Sequence, residues 1–354
     1  MAQVRGSCER FCPDGEAKMR IREKLLHYFE LKNGQKNTPG VLVKEFTRSA
    51  ADAKMPLPQE MRTEAALTKT VEYLLKEQEL FSIILDTRKP FNLAYDFIFD
   101  RLRAVRREIV IQMYDARQKI RLLEPIVMFL AYSRYRLCEE SIEKFDPKIC
   151  NQHLQECLTG VLCCYDELEG QASSKEPTIR ELERRCYIES LYQVFNLGSP
   201  ESFARALTLP DFVRQDSIFK LCFAICLAFQ QRNLYRVLMG FPQLPHILCS
   251  VAATKLQAIR RSLLQVFTHA YNNKQLTVPV PYLLRLLLID SPAGLQDQCR
   301  HYNISFTGDR KAVQFNKTDF NQTAELLKTQ HERFVESKLK RIYLPEVLLL
   351  KKLN

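Results

Sequence analysis

The chain has 354 residues, 46% of them hydrophobic and 26% charged, enough apolar material for one large helical array or several smaller units and too much for global disorder. Only ten glycines occur among long runs of Leu, Glu, Gln, Arg and Lys, which points to helices and argues against glycine-rich phosphate loops. The net charge of +11 is uneven, with +4 in residues 101–125 and +5 in residues 300–354, and clustered cations of this kind suit nucleic acid or an acidic protein.

In chain order, CERFCP (Cys8–Pro13) reads as an extended lead-in to a helix over Glu16–Leu31, with Ile21, Leu25, Leu26 and Phe29 at helical spacing. A polar break at Asn33–Pro39 and a short segment, VLVKEFTRSAA (Val41–Ala51), precede the stop at Pro56-Leu57-Pro58. Helical spacing resumes from Thr63 with Leu67, Val71, Leu74 and Leu75. The stretch Tyr95–Gln112 then sorts onto two faces. Ile98, Leu102, Val105, Ile109 and Met113 fall in one arc, and Arg103, Arg106 and Arg107 in the adjoining one, with Arg101 on the flank. A helix so built docks its apolar face and leaves guanidinium groups beside the seam.

Further helices are expected over Ile109–Leu123, Pro125–Cys138 with the proline at its start, Lys148–Glu169, Thr178–Phe195 after a QASSKEP loop, and Glu201–Leu207. Ser217–Gln230, Leu234–Met239 and a long Leu244–Tyr271 follow. No fixed repeat recurs, so the expectation is an irregular stack of helical hairpins. Val278–Pro281 reads as a proline-punctuated link, and Tyr282–Ile289 as a helix. Ser291-Pro292 supplies an N-cap and first turn for a second helix reaching His301. Ile304–Phe306 and Ala312–Phe315 flank the turn TGDRK, and two helices followed by a hairpin outline a winged helix. Gln322–Asn354 reads as a basic helix broken at Pro345, its Leu-rich end docking back or meeting a partner. The organisation expected is a lead-in over 1–40, a helical stack over 41–277, a winged-helix subdomain over 278–320 and a basic tail over 321–354.

Twelve cysteines occur without an apolar signal segment at the N-terminus, which suggests a reducing compartment, and Cys138, Cys157, Cys163, Cys222, Cys226 and Cys249 sit among apolar residues as small core side chains. The longest apolar candidate, Leu221–Phe229, is too short to span a membrane. Cys8, Cys12 and His27 fall short of a four-ligand zinc site, so no metal is expected. The six histidines form no H-E-x-x-H, and neither a G-x-S-x-G nor a Walker A string is present, so no catalytic residue is nominated and a hydrolase is the weakest of three classes.

Four blocks carry a resemblance to a known family: CERFCP, VKEFTRSAA (Val43–Ala51), LPQEMRTEAALTKTVEYLL (Leu57–Leu75) and FIFDRLRAVRREIVIQ (Phe97–Gln112). Their order and spacing are similar to the signature blocks of the Sac-homology family, that of suppressor of actin three and the germinal-centre-associated nuclear protein GANP. ECLTGVLCCYDEL (Glu156–Leu168) and QQRNLYRVLMGFP (Gln230–Pro242) resemble its later helices. The resemblance implies an all-α, irregular helical-repeat stack of TPR/PCI-like type, closed by a winged helix with a small β-hairpin. It also implies a scaffold without cofactor that joins a PCI-type subunit and a small acidic subunit in an mRNA-export complex. Short members of the family are associated with centrosomes, spindle formation and mitosis. This chain is most similar to those, since it shows no Phe-Gly repeats, centrin-binding helix or acetyltransferase-like extension. The expected setting is nucleus and cytoplasm, with centrosome and spindle.

For RNA, single-stranded DNA or an acidic partner, the first expected contacts are Arg101, Arg103, Arg106 and Arg107. Arg300 on the second winged helix and Arg310 and Lys311 on the hairpin come next, and Arg260 and Arg261 on the long helix form a third group. The competing reading has Asp96 and Asp100 consume the arginines of their own helix, and the wing meet a protein. It describes a pure interaction module at the centrosome that binds no nucleic acid.

Overall fold

The computed structural model describes residues 4–32, 38–47, 55–76, 90–170 and 176–353. The expected break at 33–37, the end of VLVKEFTRSAA from residue 48, and 171–175 of the QASSKEP loop lie outside the described residues. The chain forms two compact units, Met1–Pro177 with Tyr343–Leu353, and Thr178–Ile342. Both are mostly helical.

In the first unit α1 (Asp14–Arg22) ends earlier than the expected Glu16–Leu31 helix, because Lys24 turns left-handed at φ 56° and a separate 3₁₀ turn, Tyr28–Glu30, follows behind the cap of His27. Helix α2 (Glu64–Leu75) starts where Thr63 accepts the Ala66 amide at 3.2 Å. Helix α3 (Phe91–Ile111) contains the two-faced stretch, and Ile98, Leu102, Val105 and Ile109 are buried as their arc requires. Met113 is not, since the helix has already ended: Met113 takes φ 49° and is 66% exposed. The expected Ile109–Leu123 helix is therefore split.

The true start of α4 (Ala116–Arg136) is a capping box in which Asp115 accepts the Gln118 amide at 2.9 Å and Gln118 accepts the Asp115 amide at 3.1 Å. Pro125 consequently lies inside α4, where it leaves the Arg121 carbonyl without an intrahelical donor, and does not open a helix as expected. Helix α5 (Pro147–Gly170) packs along α4, and their shared interior includes Ile126, Val127, Leu154 and Leu158, each essentially inaccessible. Burying four such side chains stabilises by roughly 1.5–3 kcal/mol each.

The second unit begins with α6 (Ile179–Phe195), opened by the Thr178–Glu181 capping box, followed by α7 (Pro200–Thr208), α8 (Asp211–Gln215), α9 (Ser217–Gln230) and α10 (Leu234–Gly240). The expected Leu244–Tyr271 helix is two helices, α11 (His246–Ala253) and α12 (Leu256–Ala270). Thr254 parts them by turning its hydroxyl back onto the Val251 carbonyl at 2.7 Å.

The winged region has one more strand than expected. Thr277–Pro279, which overlaps the link expected over Val278–Pro281, is β1, an edge strand whose proline tolerates the missing N–H. It precedes α13 (Val280–Leu287), α14 (Pro292–His301, capped by Ser291), β2 (Ser305–Phe306) and β3 (Ala312–Gln314). The antiparallel order is β1-β3-β2, with Val278 and Phe306 both registered on Val313. The expected basic helix from Gln322 is irregular until α15 (Arg333–Leu339), which packs on α11. The last helix, α16 (Leu344–Leu348), docks back on α4 of the first unit with Val347, Leu348 and Leu350 buried, so the Leu-rich end is used internally.

Candidate functional site

Helix α3 presents two faces that carry charge. The inner one carries it among its apolar residues: Arg101, Glu108 and the cap residue Gln112 are buried. Arg101 reaches Glu30 at 3.2 Å and Glu45 at 2.9 Å, pairs with Asp100, and lies over the Phe97 ring at 4.6 Å. Glu30 also binds Arg20 and accepts the Val43 amide at 2.9 Å, and Arg20 reaches Glu45 at 2.9 Å. Two turns further along α3, Glu108 takes Arg62 at 3.0 Å and Lys44 at 3.0 Å, while Gln112 donates to the Arg62 carbonyl at 2.9 Å. In its unpaired form any of these charges costs several kcal/mol to bury, so the members hold one another in place.

The second face carries the arginines singled out by sequence. Arg103 lies over the Phe46 ring at 3.8 Å, and Arg107 donates to the carbonyl of Thr47 and, at 2.6 Å, to its hydroxyl. Arg106 donates to Nδ1 of His153 at 2.7 Å and to Glu156 at 2.8 Å. Burial, and then the positive Arg106, hold His153 below the ordinary imidazole range, which makes it a neutral acceptor at pH 7. Glu156 resists its own desolvation and stays below the usual carboxylate range through hydrogen bonds from Arg106 and Gln152. All three arginines, with Lys119 of α4, line one open groove of about 530 Å³ floored by residues of α3, α4 and α5.

The second unit treats its cations in two ways. Arg260 is buried, bidentate on Glu332 at 2.7 and 2.9 Å, and donates Nε to the Leu287 carbonyl at 2.7 Å. Arg261 caps the Gln322 carbonyl. Arg300 is 78% exposed and pairs with Asp297 at 3.1 Å, and Arg310 and Lys311 are exposed on the hairpin turn, Arg310 at φ 56°. Asp309 shapes that turn by accepting the Thr307 hydroxyl at 2.6 Å and the Lys311 amide at 3.1 Å.

Comparison with known proteins fits this architecture. The model of the SAC3/GANP family matches residues 11–308. The chain belongs to the SAC3/GANP family. Similar proteins include protein xmas of Drosophila melanogaster, 25% identical over 318 residues (88% of this chain, 15% of the relative), and SAC3 family protein 1 of Schizosaccharomyces pombe, 22% identical over 94% of this chain and 34% of the relative. SAC3 family protein B of Arabidopsis thaliana is 27% identical over 176 residues, 46% of this chain and 9% of the relative. The chain thus spans only about a tenth to a third of the length of these relatives.

In this SAC3/GANP chain the blocks that carry the resemblance meet in the buried network: Glu45, Arg62, Arg101, Glu108 and Gln112 each come from one of them. Two of the nominated contacts therefore need correcting. Arg101 and Arg260 are interior ion-pair members, and no phosphate reaches them without dismantling the core. Sequence also placed Cys163 in the core, whereas it is exposed at the groove, and Cys138 is only partly buried. The partners Glu30, Glu108 and Glu332 were missed. Glu108 had a signal, for Arg101, Glu108 and Gln112 recur at spacings of seven and four on the buried side of α3. No group of His, Cys, Asp or Glu among the described residues could hold a metal, and none of the described helices is long and apolar enough to cross a membrane.

Proposed function

We propose that the chain is a non-enzymatic helical scaffold of an mRNA-export-type complex, whose winged region meets a PCI-type subunit and RNA, with a small acidic subunit completing the assembly. The observation that carries this reading is the difference in accessibility among its cations: Arg300, Arg310 and Lys311 of the winged region are exposed, as cations that contact backbone phosphates have to be. Family membership supports the scaffold role. Nucleus and cytoplasm are the proposed setting.

A second reading, a protein-interaction module of the centrosome and mitotic spindle that binds no nucleic acid, is favoured by one specific feature. Arg103, Arg106 and Arg107 already have partners within the fold, so this run of cations is not a bare phosphate-binding stripe. Affinity capture of the full chain from interphase and from dividing cells, with ultraviolet crosslinking to RNA, separates the two. The scaffold reading expects a PCI-type subunit, a small acidic protein and crosslinked RNA in both preparations. Recovery of pericentriolar proteins alone, without RNA, overturns it in favour of the second.

A further inference from the structure

The groove on the first unit combines an apolar floor with a cationic rim. Its floor includes Ile109, Leu123 and Gly160, and its rim carries four cations, Arg103, Arg106, Arg107 and Lys119, against two carboxylates, Glu156 and Glu167. Glu156 is already held by Arg106, and His153 contributes no positive charge at pH 7, so the rim keeps a positive excess. Val110, which also lines it, stands 74% exposed, an apolar side chain in the position of a contact. Gly160 is the telling residue. It sits within the 24-residue α5, where glycine weakens a helix, yet a Cβ there would meet only Leu123 Cδ1 at 3.6 Å, an ordinary van der Waals contact. Helix packing does not require the missing side chain. What its absence provides is open floor in the groove.

We infer that this groove docks a segment of a partner protein that carries acidic and apolar side chains on one face, the apolar ones seated over Gly160 and the carboxylates at Lys119 and the arginine rim. An apolar floor with a cationic rim is complementary to such a segment in shape and charge. A polynucleotide, whose charge is continuous and whose backbone has no apolar face, fits it less well. The inference is separate from the proposed contact of the wing with RNA, which lies in the other unit.

The test uses the full chain and a short fluorescein-labelled helical peptide with Asp/Glu and Leu/Phe on one face. Controls are the same peptide with Lys for the acids, the same with Ser for the apolar residues, and oligouridine. The expected result is binding of the acidic-apolar peptide alone, weakened about tenfold or more by Gly160→Leu, which fills the floor, and by Lys119→Glu, which reverses the rim, while Gly160→Ala retains it. Thermal melting checks each variant for folding, and Lys119→Glu, at a partly exposed site, carries the test if Gly160→Leu does not fold. Equal binding of the lysine or serine peptide, oligouridine in place of the peptide, or indifference to both variants overturns the inference. Charge reversal at Arg300, Arg310 and Lys311 should leave peptide binding unchanged.

Discussion

The cations of α3 and those of the winged region are equally conspicuous in the sequence and differ entirely in use. On α3 they are drawn inward: Arg101 is buried against carboxylates and the Phe97 ring, and Arg103, Arg106 and Arg107 line a groove while stacked or bonded to neighbours. On the winged helix and its turn they face solvent. Local charge density thus reports how many cations a segment has, and the partners brought in from afar decide how many are left for a ligand.

The comparison breaks most sharply at Glu108. Replacing it with Leu leaves buried Arg62 without its carboxylate, and the first unit should lose about 3–5 kcal/mol in urea unfolding. A loss below about 1 kcal/mol would mean that the network is incidental to the fold. Smaller and opposite in sign, Gly160→Ala should stabilise by about 0.5–1 kcal/mol, since the new methyl meets no clash and the helix gains propensity. Destabilisation would show that glycine there serves packing after all.

Two histidines should make the first unit sensitive to acid. Burial comes first, then Arg101 for His27 and Arg106 for His153, and together they hold each imidazole below its ordinary 6.5. The folded state thus binds a proton less readily than the unfolded one, so stability is full above 6.5 and declines as pH falls through and below that value. Urea midpoints measured across that interval should fall in the parent and fall less in a His27→Asn, His153→Gln variant. Parallel curves would remove the histidines from the explanation. The smallest effect is expected at the wing: Arg300→Glu should change stability by less than about 0.5 kcal/mol, because its ion pair with Asp297 is exposed.

Much of this pattern was legible in the sequence where the cause is local. Ser291-Pro292 opened α14 as read, TGDRK made its hairpin, and the apolar arc of α3 from Ile98 to Ile109 is buried. What could not be read had its cause elsewhere in the chain. Lys24 and Met113 end or follow helices in left-handed conformations that glycine would ordinarily announce. Thr277–Pro279 is a strand only because β3, more than thirty residues on, accepts it. Arg101 is lost to solvent because Glu30, 71 residues earlier, folds beneath it. Among the groove residues, the arginines were found from their spacing, whereas Lys119 and Gly160 become meaningful only when α4 and α5 are laid beside α3.

The most direct measurement sets the two cation groups against each other in one assay. Anisotropy titrations of a labelled single-stranded RNA at low and moderate salt would compare the parent with Arg300→Glu/Arg310→Glu/Lys311→Glu and with Arg103→Glu/Arg106→Glu/Arg107→Glu, each checked for folding by melting. The wing triple should lose about tenfold or more in affinity and part of the salt dependence with an unchanged melting temperature, and the α3 triple should lose stability more than RNA affinity. Full RNA affinity in the wing triple, or loss confined to a well-folded α3 triple, would contradict the division between an accessible wing and an internally committed α3.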